Sequence, residues 1–342
     1  MAVVKPLVFY DDTRKIEEIR ATDSVPAPTP APAGSTTQIQ FNNAGVLGAS
    51  ADLTFDDSIN TLGITGVDSC FLISGITNEP PTPATNLGCL YAKYIGGKFS
   101  LKIKGSSGLD TPLQNAFWQN NITMWNTTNA ISGSWIGSVG TGSGTYTTAL
   151  PTIASVYTSV KRGRYANVVT TLNQVLGQRN IELMFTRGSV TSQGGFFFYT
   201  RCGFDAWNNG GRFFAGMHTA TTVVSADPSA LNNTMGFCVD AADNGAISFL
   251  TRGTVATKAS TGLTISSNKG YDVYIFCAPN STQVSWRILD INTGIEANGI
   301  ATLNLPANTT LFTAGVLTSN AALTTVTSVQ LGINRIYLET DY

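Results

Sequence analysis

The sequence predicts an all-β protein whose larger part is an antiparallel β-sandwich of jelly-roll type. Three observations carry this expectation. Beyond residue 115, short apolar and aromatic segments follow one another: Asn180 to Phe185, Gly195 to Arg201, Arg212 to His218, Met235 to Val239, Ala246 to Thr251, Gly270 to Cys277, Gln283 to Asp290 and Ser328 to Glu339. Gly, Asn, Asp and Thr break the chain between them, the pattern of strands joined by turns. No convincing amphipathic helix interrupts the series, and the stretch nearest to one, Ala166 to Gln174, is short and β-branched and is left unassigned.

The elements before the sandwich form three further segments. Residues 1–25 hold an apolar strip, Val3 to Tyr10, and the first 23 residues carry nine of the 41 charged side chains. Mixed charge beside apolar residues suits a docking peptide with Leu7, Val8, Phe9, Tyr10, Ile16 and Ile19 as its contacts; a frayed terminus is the other reading of the same residues. In residues 26–37, Pro26-Ala-Pro-Thr-Pro-Ala-Pro32 holds a polyproline spacer of about 20 Å. Residues 38–114 read as a stalk of β-hairpins. QIQFNNAGVLGASADLTFDDSINTLGITG alternates apolar runs with Asn- and Asp-rich turns, and Cys89 to Lys104 folds back at Gly96-Gly97, which supply the positive φ angles of the turn. Such hairpins are too small to bury their own apolar faces, so copies from neighbouring chains are expected to cover them. Residues 115–342 then form the sandwich head.

Composition limits what the protein binds. Twenty basic residues against 21 acidic ones give no field to attract a nucleic acid or an anionic membrane, so neither is expected as a partner. The apolar start is too short for a secretory signal and no later stretch spans a membrane, which points to synthesis and assembly in a cytoplasm. Cys70, Cys89, Cys202, Cys238 and Cys277 are odd in number and lack C-x-x-C spacing, so they read as small buried side chains with neither a disulfide framework nor a zinc site.

Candidates for chemistry reduce mostly to turns. His218, the single histidine, has the chemistry of a general base but no nucleophile elbow near it, and a polar residue at a strand end explains it as well. Asp205, Asp240, Asp243, Asp272, Asp290 and Glu296 could include a glycosidase pair, yet Asp240 and Asp243 sit in Asp-Ala-Ala-Asp-Asn-Gly and Asp290 in Asp-Ile-Asn-Thr-Gly, both ordinary turn sequences. The run Gly137 to Gly144 reads as a flexible loop and Lys161-Arg-Gly-Arg164 as a solvated turn. No metal ligand set, cofactor motif or enzyme activity is expected. One segment has the residue types for glycan contact: Tyr199 to Arg212, read as a loop, offers Tyr199, Asp205, Trp207, Asn208, Asn209 and Arg212. The competing reading is an aromatic cover over a sandwich edge or subunit seam.

Several stretches resemble the virion structural and tail-fibre proteins of tailed bacteriophages. Lys5-Pro-Leu-Val-Phe with Ile16-Glu-Glu-Ile is similar to their leader, and QIQFNNAGVLGAS with LTFDDSINTL to their stalk hairpin. Leu90-Tyr-Ala-Lys93 through Lys102-Ile-Lys-Gly-Ser-Ser-Gly-Leu-Asp-Thr-Pro-Leu-Gln114 looks like the hairpin and exit segment before the distal domain. Gly195-Phe-Phe-Phe, Arg212-Phe-Phe-Ala-Gly-Met, Ala278-Pro-Asn with Trp286-Arg, Asn292-Thr-Gly294 and Ile336-Tyr-Leu-Glu-Thr-Asp-Tyr342 look like that domain. The resemblance implies a homotrimer located in the virion, assembled in the bacterial cytoplasm, and it brings no catalytic residues. The expected function is host attachment: the N-terminus joins other virion proteins and the sandwich binds a bacterial surface glycan or protein. A capsid decoration or head-fibre protein and a surface-glycan depolymerase are the alternatives.

Overall fold

A computed structural model describes residues 7–9, 16–18, 38–43, 46–56, 58, 61–64, 73–76, 78–106, 110–113, 120–127, 136–140, 145–167, 174–180, 182–190, 194–220, 226–320 and 329–341. Tyr10, Ile19, the proline-rich spacer, Cys70 and the stretch 168–173 lie outside the described residues. The chain divides into two compact units, Met1–Ile73 and Ser74–Tyr342.

In the first unit β1 (Leu7–Phe9) pairs antiparallel with β2 (Ile16–Glu18). The hairpins read from residues 38–66 form one antiparallel sheet of β3 (Gln38–Asn43), β4 (Val46–Asp56) and β5 (Thr61–Ile64). Among the described residues of this unit no second layer covers the faces of these three strands. Phe41, Leu47, Phe55 and Leu62 are therefore between 41% and 52% exposed.

The second unit begins with β6 (Gly75–Ile76), β7 (Gly88–Ile95), β8 (Lys98–Gly105) and β9 (Asp110–Leu113), joined in one small sheet. Gly96 and Gly97 make the β7–β8 turn at φ of 58° and 90°, as the sequence predicts. This hairpin lies in the same compact unit as the sandwich, although the sequence groups it with the stalk. Absence of side chains in its turn is what lets it approach so closely. A Cβ on Gly96 would stand 2.4 Å from Cβ of Tyr274, and one on Gly97 2.2 Å from Cβ of Ser285.

The sandwich strands are β10 (Asn120–Asn126), β11 (Ile136–Gly140), β12 (Thr145–Ala149), β13 (Arg162–Ala166), β14 (Val175–Asn180), β15 (Gly194–Ala206), β16 (Arg212–His218) and β17 (Thr234–Val239). They continue with β18 (Ala246–Arg252), β19 (Ala256–Thr264), β20 (Lys269–Cys277), β21 (Val284–Asp290), β22 (Glu296–Ala301), β23 (Thr313–Ser319) and β24 (Gln330–Asp341). One sheet has eight strands in the order β12-β13-β24-β15-β20-β21-β22, with β10 also on β24; the other has seven, β11-β14-β23-β16-β17-β18-β19. Every pairing in these two sheets is antiparallel and the chain crosses repeatedly between them, a jelly-roll-like sandwich as expected.

Alternation of side chains along each strand fills the space between the sheets. Phe237 of β17 and Phe249 of β18 meet Trp286 of β21, with Phe249 stacked on the indole at 5.4 Å and Phe237 edge-on to it at 5.8 Å. Phe204 of β15 meets Phe213 of β16 edge-on at 5.3 Å. Burial of each such ring stabilises the fold by about 1.5–3 kcal/mol, so these contacts dominate the closure of one sheet on the other.

Several local expectations are corrected. The strand read at Asn180 to Phe185 is Val175–Asn180, and Phe185 makes only a single bridge to Phe312. Residues 136–140 are strand β11, paired with β14, where a flexible loop was expected. The basic cluster is not a solvated turn, because Arg162 and Arg164 lie on β13 and close on Asp205 of β15. Arg162 reaches Asp205 Oδ1 through Nε and Nη2, both at 2.8 Å, and its guanidinium lies 4.9 Å from the centre of the Tyr157 ring. With side-chain exposures of only 6% and 7%, this pair cannot lose one partner without stranding the other charge. Asp205→Ala is expected to lower unfolding stability by about 3–5 kcal/mol, as measured by urea denaturation, and by clearly more than Glu296→Ala, whose carboxylate is 45% exposed where it pairs with Arg287.

Candidate functional site

Alternation that points Trp286 inward turns its neighbours Ser285 and Arg287 to the outer face of the eight-stranded sheet. There β20 and β15 present an aromatic strip: Tyr199 stacks on Tyr274 at 5.0 Å, and Phe197 leans on both Tyr274 and Tyr337. The β7–β8 hairpin seats on this strip. Lys98 lies 5.0 Å over the Phe197 ring and pairs with Glu339.

Beside the hairpin lies an open groove of about 550 Å³, bordered by Lys93, Tyr94, Ser285, Arg287, Glu296 and Asn298. Tyr94 is 60% exposed and is backed edge-on by Phe99 at 5.3 Å. Arg287 lies 5.3 Å over the Tyr274 ring and donates to Glu296 from Nη2 at 2.5 Å and Nε at 3.0 Å. Lys93 pairs with Glu79 at 3.0 Å, and Lys102 and Lys104 come within 4.0 Å of the same carboxylate. An exposed ring beside a paired guanidinium and carboxylate, an amide and a hydroxyl offers a stacking surface together with donors and acceptors. None of these residues was singled out for recognition in the sequence except Glu296, as a carboxylate. Only the hairpin's arrival over β21 and β22 brings them together.

The residues predicted for recognition are dispersed. Tyr199 lies in the strand read at Gly195 to Arg201, but β15 runs on to Ala206, so Asp205 is a strand residue where a loop was expected. Tyr199 donates to Asp272 Oδ1 at 3.0 Å, on the outer face, while Asp205 is enclosed by its two arginines. Trp207 covers the sandwich edge, packed edge-on against Phe204 at 4.8 Å. Asn208 and Asn209 belong to the short turn before β16, and Arg212 pairs with Asp227. Tyr199 lies on the same face as the groove; the six do not form one surface. In the first unit Leu7, Val8, Phe9 and Ile16 fall in the β1–β2 pair.

Each candidate carboxylate has a cation or a turn to hold. Arg201 clasps Asp272 with Nε at 2.7 Å and Nη2 at 2.6 Å. Asp240 and Asp243 form a capping box around the short 3-10 turn Ala241–Asp243, and Lys258 reaches both at 2.6 Å. Asp290 accepts from the Asn292 and Thr293 amides and from Lys269, which together hold its carboxyl below the usual range despite burial. Of the described cysteines, Cys202, Cys238 and Cys277 are buried, burial pushes their thiols up, and Cys89 is half-buried.

His218 ends β16 on the outer face of the other sheet, 2% exposed, with Phe214 edge-on at 5.5 Å. Neither ring nitrogen has a hydrogen-bond partner among the described residues. Burial, reinforced by nearby Arg179, pulls its pKa down to about 4 from 6.5.

No family model matches the sequence, and no curated protein matches it. Solved structures to which the chain is similar include a protein of unknown function from Shewanella oneidensis MR-1, at 13% identity over 65% of this chain and 87% of that one, with a TM-score of 0.48. Another is arcelin-5, a lectin-like defense protein from Phaseolus vulgaris, at 10% identity over 66% of this chain and 99% of that one, with a TM-score of 0.44. A third is lectin I from Ulex europaeus in complex with the methyl glycoside of α-L-fucose, at 10% identity over 65% and 98%, with a TM-score of 0.45.

The His218 environment has a measurable consequence. Between pH 6.5 and 4 the unfolded chain takes up a proton that the buried ring refuses, so stability present above pH 6.5 is lost as pH falls. Wild type is expected to lose about 3 kcal/mol more than His218→Gln between pH 7 and pH 4 in denaturant titrations. Parallel losses in the two proteins would show that the ring titrates normally.

Proposed function

We propose that the protein is a fibre subunit of a bacteriophage virion, a homotrimer that attaches to a bacterial surface glycan through its sandwich and turns over no substrate. The observation that carries the binding half of this reading is the groove beside the hairpin, where exposed Tyr94 stands with Arg287, Glu296, Asn298 and Ser285. A sugar ring stacks on an aromatic face while its hydroxyls exchange hydrogen bonds with such groups.

The fibre half rests on the small sheet β3-β4-β5. Its exposed Phe41, Leu47, Phe55 and Leu62, with Leu90, Phe99 and Ile103 on the β7–β8 hairpin, are the faces that neighbouring copies of a stem would cover. Three heads on one stem raise the effective concentration of each later contact, so weak single sites suffice for firm attachment. Virion placement rests on the resemblance of the stalk, exit and distal-domain sequences, and immunogold labelling of particles tests it.

Two measurements test the reading. Light scattering after gel filtration is expected to give three chains of 36.1 kDa each, and Phe55→Ser with Leu62→Ser is expected to shift the species toward single chains. A wild-type monomer would remove the stem. On an array of bacterial surface polysaccharides, Tyr94→Ala and Arg287→Ala are each expected to weaken the best-bound glycan about tenfold or more at unchanged Tm. Undiminished binding in both variants would exclude the groove as the contact site.

A further inference from the structure

Lys98 follows directly on the Gly96-Gly97 turn, and the sheet beneath fixes its place. A Cβ on Gly97 would stand 3.3 Å from Phe276 Cδ1 as well as 2.2 Å from Ser285 Cβ, so the turn has no room to shift. From there Lys98 Nζ meets Glu339 Oε1 of β24, and the Tyr337 hydroxyl donates to the other carboxylate oxygen, Oε2. The Glu339 side chain is only 6% exposed and that of Lys98 26%. Their surroundings are apolar. The Phe197 ring centre lies 5.0 Å from Nζ, Tyr337 packs edge-on against that ring at 6.3 Å, and Phe196 and Phe276 line a cavity of about 90 Å³ beside the pair.

A buried ammonium and carboxylate lose hydration that their mutual attraction repays only in part. Transfer of one proton from Nζ to Oε1 removes both charges and leaves an amine beside a carboxylic acid, the nucleophile and electrophile of amide formation. We propose that Lys98 and Glu339 condense into an isopeptide bond that ties the β7–β8 hairpin covalently to β24.

The step balances within the pair. The Nζ lone pair attacks Cδ of Glu339 and forms the N–Cδ bond, while negative charge collects on Oε2, where the Tyr337 hydroxyl is placed to stabilise it. The Cδ–Oε1 bond then breaks as the carbonyl re-forms at Oε2. Oε1 leaves as water with the two protons that Nζ gives up, one before the attack and one after it, and the adjacent cavity has room for that water. No oxidant or further reactant is needed. Holding Nζ against the carboxyl replaces a bimolecular encounter, an advantage equivalent to about 10⁵ M or more in well-oriented pairs. The bond closes a covalent loop from residue 98 to residue 339, which keeps Tyr94 of the hairpin beside Arg287 when the sheet is pulled or heated.

Intact-mass spectrometry of the full chain under denaturing conditions is the test. Wild type is expected to be one water lighter than its composition, and its tryptic digest to contain a branched peptide of residues 94–102 and 336–342 joined through Lys98 and Glu339. Lys98→Arg, which keeps the charge, is expected at the full mass of its own composition. In a time course after cell-free synthesis, Tyr337→Phe is expected to form the bond about 100-fold more slowly for want of the oxyanion donor. The proposal is overturned if wild type carries its full mass, if Lys98→Arg also lacks a water, or if the branched peptide joins other residues; a Tyr337→Phe rate equal to wild type overturns the role of the hydroxyl. Mass and glycan binding are separate readouts, so the failure of either leaves the other standing.

Discussion

The structure depends first on the aromatic contact between its two sheets. Phe237 and Phe249 on one sheet close on Trp286 of the other, and Phe204 closes on Phe213. Because a strand alternates its side chains, each inward ring fixes which neighbours face out. Trp286 inward sets Ser285 and Arg287 in the groove. Phe213 and Met217 inward set Phe214 and His218 on the opposite outer face. A slip of one residue in β21 would bury the binding side chains and expose the core, so packing and recognition are specified by the same register.

A protein with 12% charged residues spends them on pinning strands together. Arg162 and Arg164 join β13 to β15 through Asp205, Arg201 joins β15 to β20 through Asp272, and Arg287 joins β21 to β22 through Glu296. These carboxylates are the ones whose residue type first raised the question of acid–base chemistry. Each is engaged by a guanidinium and accepts its hydrogen bonds, so these side chains act as clasps between neighbouring strands.

Much of the fold was legible because apolar alternation is a local signal. Arg212 to His218, Gly270 to Cys277 and the hairpin turning at Gly96-Gly97 were placed correctly from pattern and turn chemistry. Strands β19 and β22 were missed since they are sheet edges, rich in Thr, Ser, Lys and Asn, where half-exposed positions need no apolar residue. β23, TAGVLTS, was missed because its small residues pack closely without a strong pattern. The site was less legible than the fold. Tyr94 lies near Arg287 and Asn298 only because a hairpin some 190 residues earlier in the chain settles on β21 and β22, and no local pattern carries that approach. The loop read at Tyr199 to Arg212 failed for a related reason: Asp205 resembles a loop residue until two arginines from β13 neutralise it inside the sheet.

Strand β24 shows what such distant pairing demands of the chain as it is made. Its one edge is shared by β13 over Gln330 to Ile333 and by β10 over Arg335 to Asp341, and its other edge is held by β15. Asn120 thus waits for Asp341. Until the ribosome has released β24, β10 and β13 have no seat in the sheet and β15 has an open edge, bare donors and acceptors that a neighbouring nascent chain could pair with as readily. Closing so long a loop is also slow. Chaperone demand and yield should therefore be set by the residues after 330, and a message truncated just short of them would give aggregates in place of a smaller soluble head.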